Sequence, residues 1–363
     1  MSNFLNKSIF YGQVNFTINL KRERSPSPDL SEGSISSADV KRTIKIKYFL
    51  GGGSKEWKPK EELLVKNINI TEALKRFRKK SIGEADEGNN INCLRILSFS
   101  HIFPLNKFDD KKCVTRYFYG STRKALRSIA SRMKPRFERT PAKAVVYCKN
   151  EADKEEKEEK EENEENEENE VKEDMMSMVK YLVRHESQFH ACVANTSKAS
   201  FTEKHLMPVI RRVLLQDASK DILYAIIDKP NKDGKKPDFM IGTKVKSKEL
   251  YFFFVEVKRP ETTSKYQPED DYAKLMKQMK GSVDEQLCLG VQNPSSLGLL
   301  VEGFDCTLFQ MMLLADGVYM PMAINRFSLI EQSHHLVHLP SIVEAFYFVK
   351  VLIANKLTIA TVY

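Results

Sequence analysis

The chain has 363 residues, 41% of them hydrophobic, enough for sizeable cores and for more than one domain, so a wholly disordered protein is excluded. Its six cysteines are scattered without a CxxC pair, which argues against a disulfide framework or a zinc ribbon, and no run approaches the ~18 consecutive apolar residues of a membrane span. The net charge of +9 conceals an asymmetry: residues 151–174 hold fifteen acids and four lysines, leaving 54 basic and 34 acidic residues elsewhere. Such a balance favours polyanionic partners, although evenly spread solubility charge gives the same total.

Ile9 to Leu20 and Thr43 to Leu50 alternate apolar and polar residues and are predicted to be half-buried strands, joined by a mobile polar loop near residues 21–41. Gly51-Gly52-Gly53-Ser54 lacks the context of a phosphate-binding loop and reads as a plain turn. A helix is expected to open at Thr71, its end carrying Lys75, Arg76, Arg78, Lys79 and Lys80, either a nuclear-import or nucleic-acid patch or a solvated face. Asn92 to Phe103 is predicted as a strand and Ser121 as the cap of a second basic helix. Residues 1–150 therefore read as a small basic α+β domain of unknown role, and 151–174 as an acidic low-complexity linker. That tract is either a solvating linker or a polyanion competing for a phosphate-binding groove in its own chain.

Beyond it, helices are expected over Met175 to Val193 and from Ser200, the second bent at Pro208 unless the proline falls in its first turn. Asp221 to Asp228 reads as a strand, followed by apolar segments Phe239 to Val245 and Leu250 to Val257. The helix Asp270 to Leu289 follows, then the buried strand Leu297 to Gly303. Thr307 to Ala315 and Val318 to Ile324 flank Asp316-Gly317, a hairpin signal. His334, His335 and His338 lack a companion cysteine pair and read as sheet-end residues rather than zinc ligands. Ser341 to Leu357 is an apolar helix that must pack on the sheet or on a partner.

The chemistry-bearing residues lie at the end of the Leu250 to Val257 segment. Glu256 and Lys258 share one strand face about 6.6 Å apart, with Val257 pointing away. A hairpin between this segment and the one before it brings Asp238 alongside Glu256. Two carboxylates plus a backbone carbonyl, that of Val257, suit Mg²⁺ or Mn²⁺, and Lys258 is placed to orient water and stabilise developing charge. The bland alternative is an exposed ion pair at a solvated strand end.

Pro237-Asp238, seventeen residues, then Glu256-Val257-Lys258 resembles the active-site signature of the PD-(D/E)XK nuclease superfamily, here of a fungal-type branch, over about residues 195–330. The resemblance implies an α/β fold with a restriction-endonuclease-like αβββαβ core and a mixed sheet, placed in residues 175–363. It implies metal-dependent phosphodiester hydrolysis with catalytic Asp238, Glu256 and Lys258. Glu203, on the helix before the first strand, matches the acid that helix often contributes, although a first-turn glutamate favoured by the helix dipole looks the same. Gln278 and Lys277 match a helical position near the scissile phosphate, and Lys274 and Lys277 are candidate nucleic-acid contacts on an otherwise solvated face. Nucleic acid, DNA rather than RNA, is the expected partner, and an intracellular, nuclear location the expected setting. The competing reading is an inactive nuclease-like module that binds nucleic acid or protein.

Overall fold

The computed structural model describes residues 57–89, 91–152, 170–185, 197–226, 237–245, 248–260 and 271–362. The strands expected before residue 51, the loop at 21–41, the glycine turn and most of the acidic tract lie outside them. The molecule is α/β, with a mixed six-stranded sheet whose strands follow chain order: β3 (Ile222–Ile226), β4 (Phe239–Val245), β5 (Lys248–Lys258), β6 (Ser295–Glu302), β7 (Asp305–Ala315) and β8 (Val318–Ser328). A two-stranded hairpin, β1 (Leu64–Val65) and β2 (Ile68–Asn69), stands apart from it. All neighbours in the large sheet pair antiparallel except β5 and β6. A parallel step needs a crossover, supplied by helix α7 (Asp271–Cys288).

Strand alternation sorts the side chains into two layers. Phe253, Val255 and Val257 of β5 enter a core shared with helix α6 (residues 198–215) and helix α8 (Leu339–Val362). Phe254 enters the opposite core, where α7 contributes Leu275, Met276 and Met279. Gly298 of β6 lies under α7, and a Cβ there would meet Met279 Sδ at 2.5 Å, so the glycine sets how closely helix and sheet approach. The helical stretch Ser333–Leu357, a 3-10 turn continued by most of α8, is long and apolar enough to cross a membrane by length and composition, but 61% of its apolar part is buried inside the molecule, as in a core helix.

Helix α6 begins at Lys198, capped by Ser197, whose hydroxyl accepts from Ser200 N at 3.0 Å. The bend expected at Pro208 takes another form. Proline has no N–H and crowds the preceding turn, and the helix widens on either side of it into π turns at Thr202–Leu206 and Ile210–Leu215, with Met207 N donating to Thr202 O.

Several expectations for the first 150 residues are corrected. Asn92 to Phe103 is not a strand: Cys93–Phe99 forms helix α2, because the Asn92 side chain caps it by accepting from Arg95 N. Helix α3 (Gly120–Arg132) begins one residue before Ser121, which is not its cap. Helix α1 (Ile70–Asp86) is capped by Asn69, and Arg78 is 3% exposed and donates to Phe99 O, so it cannot serve a surface nucleic-acid patch.

The described part of this region shares the core of the sheet. Residues 101–105 run parallel along β8, with Phe103 N donating to Tyr319 O at 2.9 Å and Leu105 N to Pro321 O at 2.8 Å. Helix α4 (Ala142–Ala152) and helix α5 (Glu170–Arg184) contribute Ala144, Cys148, Met175 and Leu182 to the cluster that holds Phe346 of α8. Glu344 of α8 accepts from Arg139 at 2.7 Å and from Thr140 N and Oγ1 at 3.0 Å each. Packing does not divide at residue 150, and α5 starts inside the stretch that composition marks as linker.

Candidate active site

The hairpin does what the alternation of β4 and β5 requires. Phe239 stands opposite Val255 in the last pair of the ladder, and continuing that register by two residues would set Pro237 opposite Val257. Proline ends the ladder there, since it has no N–H to give the Val257 carbonyl. The Asp238 carboxylate takes over the other half of the missing pair: Val257 N donates to its Oδ2 at 2.7 Å, and Asp238 N donates to Val255 O at 3.1 Å. Asp238 is thereby fixed at the strand end by backbone contacts.

The same oxygen of Asp238 lies 2.7 Å from the Lys198 ammonium, so the start of α6 is tied to the start of β4. Lys198 carries no sequence signal of its own. It follows a serine cap, as many lysines do, and only topology brings it across forty positions to Asp238.

Glu256 is fully buried, 0% exposed, on the face of β5 covered by α7. Residues 274 and 278 lie one turn apart on that helix and both point at it. Lys274 Nζ donates to Glu256 Oε2 at 2.7 Å and Gln278 Nε2 to Oε1 at 2.8 Å. Burial pushes the Glu256 carboxyl up to about 7; Lys274 opposes the rise, and the negative charge of nearby Asp238 adds to it. The two carboxylates neighbour one another, since Asp238 accepts from the N–H of the residue next to Glu256. Gln278 Oε1 is buried with no hydrogen-bond partner, an acceptor left over beside the buried acid.

Lys258 ends β5 on the same face as Glu256, half-buried and with no ion pair to any described residue. It stands opposite Glu302 of β6, whose carboxylate takes Lys112 from the N-terminal region. That region also reaches α7, where Tyr272 Oη donates to Lys112 O at 3.1 Å.

The remaining candidates fare differently. Glu203 is more than half exposed and pairs with Arg211, and among the described residues no three His, Cys, Asp or Glu side chains converge, so it does not join Asp238 and Glu256. Lys274 points inward to Glu256 rather than outward to solvent. Lys277 is half-buried on the α7 surface. His334, His335 and His338 lie in a short 3-10 turn with adjacent rings and no acid or thiol in a cluster with them among the described residues.

The assembled site is a pair of coupled carboxylates, one buried, held by ammonium groups from the helices on either side, with a third ammonium at the strand end. Hard oxygen donors of this kind suit a divalent cation, and ammonium groups suit a phosphate. Comparison with models of known families, with curated proteins and with solved structures gave no match.

Proposed function

We propose that the chain is a metal-dependent hydrolase of nucleic-acid phosphodiester bonds, with a PD-(D/E)XK-like site on a restriction-endonuclease-like core. The reading is carried by one observation: a fully buried glutamate, Glu256, held beside Asp238 at the ends of adjacent strands. Burying a carboxylate is costly, and strand ends offer easy solvated alternatives, so its retention there speaks for chemistry rather than stability. The order α6, β3, β4, β5, α7, β6 is that of an αβββαβ core and agrees with the reading.

The residues present fit Mg²⁺ or Mn²⁺. Asp238, Glu256 and the Val257 carbonyl, which Pro237 cannot satisfy, supply hard oxygens, and the unpartnered Gln278 Oε1 adds an acceptor next to Glu256. When bound, the cation supplies Lewis-acid charge and lowers the pKa of a coordinated water. Lys198 and Lys274 lie 2.7 Å from the Asp238 and Glu256 carboxylates, respectively. Lys258, with no ion pair to a described residue, is the ammonium available to orient a water and to meet negative charge developing on phosphate oxygens. Gln278 holds Glu256 in one rotamer. DNA rather than RNA is the proposed substrate.

The decisive assay is divalent-dependent cleavage by the full chain of plasmid, linear, single-stranded and RNA substrates, with Asp238→Ala and Lys258→Ala as controls. Cleavage lost in both variants is expected, and cleavage that survives both removes the assignment. A second reading, an inactive module that keeps the fold, draws on the lysine already bound to each carboxylate and on the separation of Glu203. Calorimetry separates the two, because a live site takes up Mn²⁺ with heat that Glu256→Ala abolishes.

A further inference from the structure

Away from the carboxylates, an open cleft of about 590 Å³ lies between α5, α6 and the edge strand β3. Its size is that of a ligand site rather than a packing defect. Tyr181, His185, Arg211, Arg212, Tyr224 and Ile226 are among the side chains lining it, and among the described residues no aspartate or glutamate lines it. Tyr181, Tyr224 and Ile226 are 42%, 54% and 39% exposed, unusual for large apolar groups gathered at one place.

Of the two guanidinium groups in the cleft, Arg211 pairs with Glu203, whereas Arg212 is held rigidly and meets no carboxylate among the described residues. The Arg212 guanidinium lies 4.8 Å from the Tyr181 ring centroid, and that ring stacks on His185 at 4.2 Å. Arg212 donates to the neutral oxygens of Gln216 and Ser177 and, among the described residues, to no carboxylate. A guanidinium fixed by neutral partners keeps its full charge for an incoming anion. Beside it Tyr224 offers an exposed ring. A fixed guanidinium stacked on one ring, with a second ring exposed in the same cleft, matches a polyanion with flat apolar faces, that is, an unpaired nucleic-acid strand.

The cleft is also continuous with the site through two elements. Helix α6 carries Arg212 near one end and Lys198, on Asp238, at the other. Ile226 of β3 stands opposite Phe239, the residue after Asp238. We propose that this cleft holds a single-stranded stretch of the nucleic acid whose backbone reaches the carboxylates, an inference that rests on the phosphodiesterase reading for the identity of the polyanion.

The test uses the full chain in EDTA with a short fluorescein-labelled deoxyoligonucleotide, single-stranded or annealed to its complement, and reads fluorescence anisotropy. Arg212→Gln and Tyr224→Ala alter exposed or cleft-lining groups outside the core, and each is expected to weaken single-strand binding by about tenfold. Both variants are expected to hydrolyse bis(p-nitrophenyl) phosphate with Mn²⁺ at the parent rate, since that small diester needs no cleft. Single-strand binding unchanged in both variants, duplex bound as tightly with the same sensitivity, or displacement by polyglutamate in preference to oligonucleotide would each overturn the proposal. The two readings fail separately. A parent that cleaves DNA while the cleft variants bind normally sinks the cleft alone, whereas a parent that hydrolyses nothing yet loses binding in both variants sinks the hydrolase and leaves the cleft standing.

Discussion

Replacing Glu256 by glutamine should remove a pH dependence of stability that this buried carboxyl imposes on the metal-free protein. A carboxyl whose folded pKa is about 7 and whose ordinary value is 4.5 is protonated in the native state and ionised in the unfolded state between those limits. Ionising it in the native state at higher pH costs stability, because the unfolded chain ionises the same group more easily. The penalty is small at low pH, grows through the window from about 4.5 to 7 and is complete above it. With each unit of pKa difference equivalent to ~1.4 kcal/mol, the full penalty is about 3 kcal/mol at pH 8 and under about 1 kcal/mol at pH 5. Glutamine keeps the shape and removes the charge, but its one oxygen cannot accept from both Lys274 and Gln278, so the variant loses a contact at every pH, whereas the penalty of the parent grows with pH. In EDTA the melting temperature of the parent, measured against that of Glu256→Gln, should therefore fall by on the order of 5 °C from pH 5 to pH 8. Excess Mn²⁺ should raise the parent and leave the variant where it was. The assay is a thermal melt by circular dichroism across pH. A difference between the two proteins that stays constant, or that moves in favour of the parent as pH rises, refutes the reasoning.

Other outcomes follow from single contacts. Gly242 stands at a register shift between β4 and β5, and a Cβ there would lie 2.1 Å from Leu250 O, a backbone atom that cannot swing away; Gly242→Ala should cost about 3 kcal/mol in urea unfolding. Glu344→Ala leaves Arg139 and both Thr140 donors unpaired, with an expected loss of about 2 kcal/mol and new proteolytic cutting near Thr140. Lys258→Ala removes no ion pair to a described residue, so it should abolish cleavage while unfolding free energy stays within about 0.5 kcal/mol of the parent.

The sheet was readable because its strands are apolar runs with clear punctuation. Leu250 to Val257 has no competing helical period, and Asp316-Gly317 marks a turn where Gly317 takes φ +69°. The acid pair followed from alternation and one hairpin, both local. What sequence could not supply was everything carried by distant packing. Cys93–Phe99 is apolar on several sides, so its helix shows no period, and only the Asn92 cap gives it away. Glu203 matches a motif position, yet the widened turns around Pro208 and the partner Arg211 leave it at the surface. Lys274 reads as an outward charge until α7 is laid on β5, when its nearest acid proves to be buried. The domain boundary at the acidic tract was drawn from composition, which records where a chain is polar and not which segments share a core.

The pairing of residues 101–105 with β8 bears on how the protein should be produced. A sheet edge left open is a row of unsatisfied N–H and C=O groups that recruits other chains. Here Tyr319 N and Ala323 N give their hydrogens to His101 O and Leu105 O, so that edge is occupied by the molecule's own N-terminal half. Pro321 lies in the same stretch and, having no hydrogen to give, uses only its carbonyl, toward Leu105. A fragment cut at the acidic tract would bare this ladder together with the apolar surface beneath it, and its expected fate is edge-to-edge self-association into insoluble material.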